Sequence, residues 1–403
     1  MVAPKLRFKE FNNDWSLKKL GDLSFKPQYG MNSSATEFDG ENKYLRITDI
    51  NEDDHSFNFS KLTSPADDLD DKYLLKNGDL LFARTGASVG KSYLYNSKDG
   101  KVYFAGFLIK FSLQTEVNPY FIFSQTLSKK FQNWVITNSM RSGQPGINAE
   151  EYSLLPISFT SLKEQTKIAT FLSAVDEKIS QLSQKLHLLG QYKQGMMQKL
   201  FSQQLRFKAD DGSEFGEWSN KTIGDVANIK RGASPRPIND SKWFDDSSSI
   251  GWVRISDVSK SKKYLLQTEQ YLSTLGIQKS RLVPKGNLIM SICATIGKPI
   301  YTGFDVCIHD GFVVFSELQA IHEYAYYYLE YIEKNWYQYG QPGTQVNLNS
   351  DIVSNEAFPF PCLEEQTKIA NFLSAIDQKI DVVSEQLEQA KLWKKGLLQQ
   401  MFV

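Results

Sequence analysis

The chain has 403 residues, 46 basic and 46 acidic, for a formal net charge of zero. Its length calls for two to four units with real cores, and the balanced charge excludes a uniformly basic nucleic-acid coat while leaving room for local basic surfaces. The three cysteines, Cys293, Cys307 and Cys362, have no metal-ligand spacing, so buried thiols in a reducing, cytoplasmic setting are expected. The opening "MVAPKLRFKEF" has no long apolar core and no run is long enough to span a bilayer, so neither a secretory signal nor a membrane is expected.

In chain order, "KYLRITDI", "GDLLFA" and "FLIKFSL" read as short strands separated by turns, and Asn118 to Trp134 reads as a helix. "SLKE" at Ser161 has capping-box spacing and predicts a helix starting near Leu162. From there to Phe201 is about 60 Å of helix at 1.5 Å per residue. Its apolar residues Ile168, Leu172, Val175, Ile179, Leu182, Leu186 and Leu189 alternate steps of four and three, and Met196 and Leu200 continue them. That 3.5-residue period marks a coiled-coil seam.

The chain then begins again. "LRFK" at Leu6 recurs at Leu205, "WSLKKLGDL" as "WSNKTIGDV", "YLRITDI" as "WVRISDV", and "GDLLFARTGASVGK" as "GNLIMSICATIGK". "GQPG" recurs at Gly340, and "EQTKIATFLSAVDEKI" at Glu164 returns as "EQTKIANFLSAIDQKI" at Glu365 with three substitutions. The strands "GWVRISDV", "GNLIMSI" and "GFVVFS", a helix from His322 to Trp336, and a second seam through Ile369, Leu373, Ile376, Ile380, Val383, Leu387, Ala390, Leu397 and Met401 complete a second copy. Lys193 and Lys394 interrupt the two seams at the same place. The second globular region begins where the first helix ends and finishes where the second helix begins. Antiparallel helices let it enter and leave at one end, so an antiparallel coil with a pseudo-two-fold axis is expected.

Several motifs fail on their spacing. "GASVGKS" at Gly86 is one residue short of a phosphate-binding loop, and its partner "CATIGKP" lacks the first glycine and the metal-binding hydroxyl; a strand-ending turn presenting Lys91 and Lys298 is expected instead. "NPY" at Asn118 resembles the adenine-binding motif of amino-methyltransferases, but Asn cap and first-turn proline describe it as a helix start. The four histidines form no metal or triad spacing, and the tyrosine-rich stretch after Glu323 reads as a buried helix face.

Turn-rich places in both copies carry side chains able to grip base edges or phosphates. In the first these are Arg46, Arg84, Thr85, Lys91, Ser92, Arg141, Gln144 and Asn148; in the second, Lys230, Arg231, Arg236, Arg254, Thr295, Lys298, Gln341, Thr344, Gln345 and Asn347. Arg46 and Arg254 admit another reading, as structural partners of Asp49 and Asp257 three positions on. The matching polar residues at the helix starts, Glu164, Gln165, Thr166 and Lys167 with Glu365, Gln366, Thr367 and Lys368, exceed what a seam requires and suggest a duplicated surface for a partner.

The order of variable region, "EQxKIAxFLSxxDxKI" helix, variable region and second such helix resembles the specificity (S) subunit of type I restriction–modification systems, and "PKLRFKEF" and "GDLLFARTGASVGK" are similar to that family too. The resemblance covers the whole chain. It implies an α+β protein of two related mixed α/β target recognition domains, at 1–159 and 205–361, separated by a long antiparallel two-helix coiled coil formed by 160–204 and 362–403. It also implies a non-catalytic subunit that reads an asymmetric bipartite target on double-stranded DNA. Two methylation subunits and restriction subunits would bind it, bringing S-adenosylmethionine, ATP and Mg; no cofactor is expected in this chain. The rival readings are a coiled-coil interaction adaptor that never touches DNA, and a self-contained methyltransferase.

Overall fold

The structure is a computed structural model and describes residues 4–339 and 348–402. The chain divides into two compact units, one comprising residues 1–184 with 384–403 and the other residues 185–383.

In the first unit, strand Asp79–Ala83 is buried along its whole length. It is therefore continuously apolar after Asp79, with a different core on each face. It pairs antiparallel with Leu108–Ser112 and Ser92–Leu94, and Gln28–Tyr29 adds an outer strand beside Leu108–Ser112. Leu80, Phe82, Ile109 and Phe111 face a core shared with Phe121 and Ile122, with Ile168, Leu172 and Val175 from the start of one long helix, and with Leu397, Leu398, Met401 and Phe402 from the end of the other. On the opposite face Leu81, Ala83 and Leu108 meet Leu45, Phe57, Val102 and Phe104.

The second unit repeats this plan. Leu288–Ser291 lies between Phe312–Ser316 and Pro299–Thr302, and Asn228–Arg231 pairs with Phe312–Ser316. Its main core gathers Leu288, Met290, Val313 and Phe315, with Met197, Leu200 and Phe201 from the end of the first long helix and Ile369, Leu373 and Ile376 from the start of the second. Tyr324, Tyr326, Tyr327 and Tyr328 are buried in it, as their helical spacing suggested. The long helices are Leu162–Phe201 and Leu363–Met401. Since each unit packs the start of one against the end of the other, they run antiparallel.

Two expected helices differ from the sequence reading. Asn118 to Trp134 is two helices, Pro119–Thr126 and Lys129–Ser139, because Ser128 forms a new cap that accepts from the Phe131 amide at 3.2 Å. The expected helix from His322 ends at Tyr331 and gives way to a 3₁₀ segment, Glu333–Tyr339, that buries Trp336. Of the thiols, Cys307 alone is buried, whereas Cys362 is exposed.

The two seam lysines have a structural cause. Lys394 meets Asp176 at 2.6 Å in the first unit, and the Tyr120 hydroxyl donates to the same carboxylate. In the second, Lys193 meets Asp377 at 2.8 Å and Glu330 at 2.7 Å, and the Tyr327 hydroxyl donates to Asp377 at 2.7 Å. Each cluster, of three residues in the first unit and four in the second, joins both long helices to a helix of the globular part. A partly buried ion pair of this kind adds little net stability but penalises every register that separates its members.

Candidate nucleic-acid interface

Three of the predicted cationic contacts, Arg46, Lys91 and Lys298, are already committed to partners within the fold. Arg46 makes a bidentate pair with Asp49, both distances 2.8 Å, which confirms its structural reading. Arg254 meets Asp257 through its backbone amide at 2.8 Å, with its side chain exposed. The turn presenting Lys91 and Lys298 needs correction. Lys91 is buried; its ammonium donates to the Ile50 carbonyl at 3.1 Å and pairs with Glu52. Lys298 donates to the carbonyls of Val258 and Ser261, both at 2.8 Å, at the end of helix Ile255–Lys260. Both lysines point inward, onto the turn that follows the repeated Arg-x-x-Asp. The last carbonyls of a short helix attract a cation, and burying an ammonium without such partners is costly. Burial accordingly holds the Lys298 pKa below its usual value.

Ser92 is also interior, bonded to Thr126 at 2.7 Å and His55 at 3.0 Å. Asn148 caps helix Ala149–Ser153, accepting from the Glu151 amide at 2.9 Å. Arg141 pairs with Glu151 at 2.5 Å, and the Thr295 hydroxyl bonds Ser259 at 3.1 Å. Lys230 is half-buried within strand Asn228–Arg231. Gln341, Thr344, Gln345 and Asn347 lie outside the described residues, as does the second "GQPG".

What remains assembles at one edge of each unit, on a backbone frame that the two units share bond for bond. Tyr29 stands opposite Ile109 in the outer strand pair, and Arg231 stands opposite Val313 in its counterpart. The Gly30 amide donates to Leu108, and Gly232 to Phe312. A Cβ at Gly30 would lie 2.2 Å from the Ala105 carbonyl oxygen, and one at Gly232 would lie 2.1 Å from that of His309, so both close approaches demand glycine. The Arg84 amide donates to Phe107 at 3.0 Å and that of Ile292 to Gly311 at 2.8 Å; Ile147 then donates to Arg84 at 2.9 Å and Leu348 to Ile292 at 3.0 Å. Arg84 and Ile292 are thus one position, as are Tyr29 and Arg231, and Phe107 and Gly311.

The side chains on this frame differ. In the first unit the Arg84 guanidinium lies over the Tyr29 ring at 5.1 Å and the Phe107 ring at 5.7 Å. Both rings are exposed. Thr85 bridges to Gly146, and the Gln144 amide nitrogen lies 2.8 Å from where a Cβ on Gly86 would stand, so the "GASVGKS" turn and the "GQPG" turn meet here. In the second unit Asp310 is the hub. Its backbone carbonyl accepts from Arg231 Nε at 2.7 Å, and its carboxylate accepts from Ser234 at 2.8 Å and Arg236 at 3.1 Å. Burial pushes that carboxyl up, but the Ser234 and backbone hydrogen bonds and the Arg236 charge outweigh it and hold the pKa below the usual carboxylate range. His309 accepts from the Gly311 amide at 2.8 Å, and burial disfavours its charged form. Tyr29, Phe107, His309 and Asp310 were not singled out from sequence. For Phe107, His309 and Asp310 the signal was a turn and strand, "AGFLIKFS" against "HDGFVVFS", whose first residues diverge while the strand that follows keeps its pattern; Tyr29 lies outside that stretch.

The polar residues expected to form a partner surface also require correction. Glu164, Gln165, Glu365 and Gln366 are fully buried and recur for an internal reason. Arg7 grips Glu164 at 2.6 and 2.8 Å, and Arg206 grips Glu365 at 3.1 and 2.8 Å, which is why "LRFK" recurs with them. Gln165 accepts from the Asn118 amide and donates to the Thr160 carbonyl, and Gln366 does the same with Ile321 and Pro361. Burial raises the Glu164 carboxyl, but hydrogen bonds from Arg7 and Thr160 more than offset it and leave its pKa lowered. Thr166 and Thr367 are exposed. Lys167 lies 3.5 Å from Glu10 and Lys368 lies 2.5 Å from Asp210, so each reaches the arm preceding its own unit.

No helix among the described residues is long and apolar enough to cross a membrane. A sequence profile described as the type I restriction modification DNA specificity domain matches residues 12–189 and again 216–392. A putative type I restriction enzyme MjaX specificity subunit of Methanocaldococcus jannaschii is 24% identical, covering 98% of this chain and 94% of the relative. The MjaVIII specificity subunit of the same organism is also 24% identical, with 96% and 91% covered. Among solved structures, the S subunit of a type I restriction-modification system from M. genitalium superposes with a TM-score of 0.61 at 16% identity, over 100% of this chain and 99% of that one. A chain from a study of complex assembly and conformational transition in the type I R-M system gives 0.60 at 17% identity, with 95% and 96% covered. With two matched domains and relatives aligned along nearly their whole length, the chain belongs to the family of type I restriction–modification DNA specificity (S) subunits.

Proposed function

We propose that this specificity subunit reads an asymmetric bipartite target on double-stranded DNA, one part with each unit, and that it has no catalytic role of its own. The observation that carries this reading is the repeated frame: the same strand register and backbone hydrogen bonds in both units, with Tyr29, Arg84 and Phe107 on one and Arg231, Ile292 and Gly311 on the other. A duplicated scaffold with divergent side chains at one edge suits two readings of two different short sequences. The Arg, Gln and aromatic groups there can meet base edges, while Lys230, Arg236, Arg254 and Arg141 lie within reach of the same turns as phosphate contacts.

In this reading the repeated coil helices dock two methylation subunits, and restriction subunits join them in a cytoplasmic complex. Adenine methylation with S-adenosylmethionine, and ATP- and Mg-dependent cleavage, belong to those partners. The exposed repeated positions Thr166 and Thr367 favour a dock that occurs twice, and the aromatic side chains Tyr192 and Trp393, both exposed at the same place in the two helices, extend it. The chain should form a one-to-two complex with its methylation subunit by native mass spectrometry. That complex should bind one asymmetric DNA sequence with an affinity falling steeply with salt, as each neutralised phosphate releases counterions. A complex that saturates at one-to-one, or shows no sequence preference at low salt, would refute the corresponding half of the proposal.

A further inference from the structure

We propose that Arg84 is the residue with which the first unit reads a guanine in its part of the target, and that Tyr29 and Phe107 are positioning residues that hold its guanidinium for that contact. This rests on the DNA-reading function proposed above and adds a base and a residue to it.

Three observations select Arg84. The first is that its charge is unspent. Arg7, Arg46, Arg141, Arg206 and Arg236 are all paired with carboxylates. Among the described residues the Arg84 guanidinium meets none, and its Nε is enclosed without a hydrogen-bond partner. A buried donor left unpaired is unfavourable. The fold retains one here in a residue that is only half-buried, so it is the rest of the guanidinium, at the surface edge, that an incoming acceptor can meet.

Secondly, the side chain is held in place. Two aromatic faces contact it, and the Tyr29 hydroxyl is itself fixed by the Ala149 amide, which donates to it at 3.1 Å. The backbone of Arg84 is bonded on both sides, to Phe107 and Ile147. Such bracing limits the rotamer freedom lost on binding and orients a planar fork, which a point-charge contact to phosphate does not require. A guanidinium fork matches the O6 and N7 acceptors that guanine presents in the major groove.

Thirdly, the position varies where the frame does not. Residues that build the frame recur: Lys91 with Lys298, Arg7 with Arg206, Glu164 with Glu365. Arg84 is replaced by Ile292, which is buried on an equivalent set of backbone hydrogen bonds. The fold therefore does not need an arginine here, and Arg84 is free to serve what is read.

Arg84→Ile tests this with a residue the frame already accommodates, and Arg84→Lys keeps the charge but loses the fork. Each variant would be assembled with the methylation subunits. Its target would first be mapped from methylated adenines in DNA from expressing cells, and binding then measured on that duplex and on duplexes changed one base pair at a time. Both variants should bind the cognate duplex about ten- to a hundredfold more weakly. Discrimination at one G·C pair of a single half-site should disappear, with every other position read as before. Tyr29→Leu should weaken the same position alone. If both variants lose affinity equally for all sequences, and Arg84→Ile lowers the salt slope by about one, Arg84 contacts a phosphate and the assignment is overturned. Unchanged discrimination by Arg84→Ile overturns it too. Should the unaltered complex show no sequence preference, the proposed DNA-reading function falls, and this assignment with it.

Discussion

His55 shows at the level of one residue how burial and charge set a response to pH. Its ring is half-buried, bonded to Ser92 at 3.0 Å. Burial, then the Lys91 charge, lower its pKa to about 4, with Asp54 and Glu52 opposing and Lys394 adding slightly. In the unfolded chain a histidine titrates near 6.5. Between those values the unfolded state binds the extra proton, so the stabilising effect of a neutral ring is complete above about pH 6.5 and is lost as the pH falls towards 4. The backbone at His55 has φ +59°, a left-handed conformation that asparagine also adopts readily. His55→Asn should therefore fold, and its melting temperature should fall less between pH 6.5 and 4.5 than that of the unaltered chain. Equal slopes would show that other groups govern the acid response. The same neighbourhood marks a limit of reading single residues from sequence. "GASVGKS" advertises a lysine at a turn, but whether its ammonium faces DNA or the Ile50 carbonyl depends on a segment forty residues earlier. Arg84 could be named as a candidate because a loop position after a strand is readable; its aromatic walls could not, because Tyr29 comes from another strand and Phe107 from the turn before a third.

At the scale of elements, the long helices were the most legible part. Their 3.5-residue period runs through Ile168, Leu172 and Val175 and through Ile369, Leu373 and Ile376, all buried. Toward the middle of the first helix, Leu186 and Leu189 are only half-buried, since the globular parts no longer cover them. The polar identity of the repeats misled because period analysis assigns polar residues to the surface. Glu164 and Gln165 instead satisfy an arginine and backbone groups at the domain edge, which periodicity cannot encode. The seam lysines yield a test. Replacing Lys394 by Met leaves Asp176 and the Tyr120 hydroxyl without their cation. Breaking a fully buried pair from one side costs about 3–5 kcal/mol; this pair is partly exposed, so a loss of about 2 kcal/mol is expected in the first unit. Asp176→Asn added to Lys394→Met should recover part of that loss, because the carboxamide needs no countercharge and still accepts from Tyr120. Hydrogen–deuterium exchange across residues 162–184 would report it. Faster exchange in the double variant than in the single would show that the triad does not act as a charge pair.

For the molecule as a whole, the repeat found in the sequence is the repeat found in the fold, but the two carry different information. Matching phrases mark what both units require: the Arg-x-x-Asp turn with its inward lysine, the glycine beside the Ala105 or His309 carbonyl, and the arginine-to-glutamate staple at each helix start. Mismatches at the same frame positions mark what each unit is free to change. Arg84 against Ile292 and Phe107 against Gly311 became visible as one site only when strand register aligned them, because the offset between copies shifts from 208 at "GDLLFA" to 201 at the helices. Each unit completes its core with segments of both long helices, yet the edge proposed to read DNA lies within its own strands and turns. Reading should therefore be modular. Replacing residues 205–361 by the equivalent region of a relative that retains the Arg206–Glu365 and Gln366–Ile321 contacts should preserve folding, since those bonds connect the region to the helices. The chimaera, assembled with the same methylation subunits, should methylate a new sequence in which one half-site is the relative's and the other is unchanged. Adenine methylation mapping in the host genome distinguishes the outcomes. If both half-sites change together, the two edges do not read independently, and the divergence between them would need a cause other than the DNA.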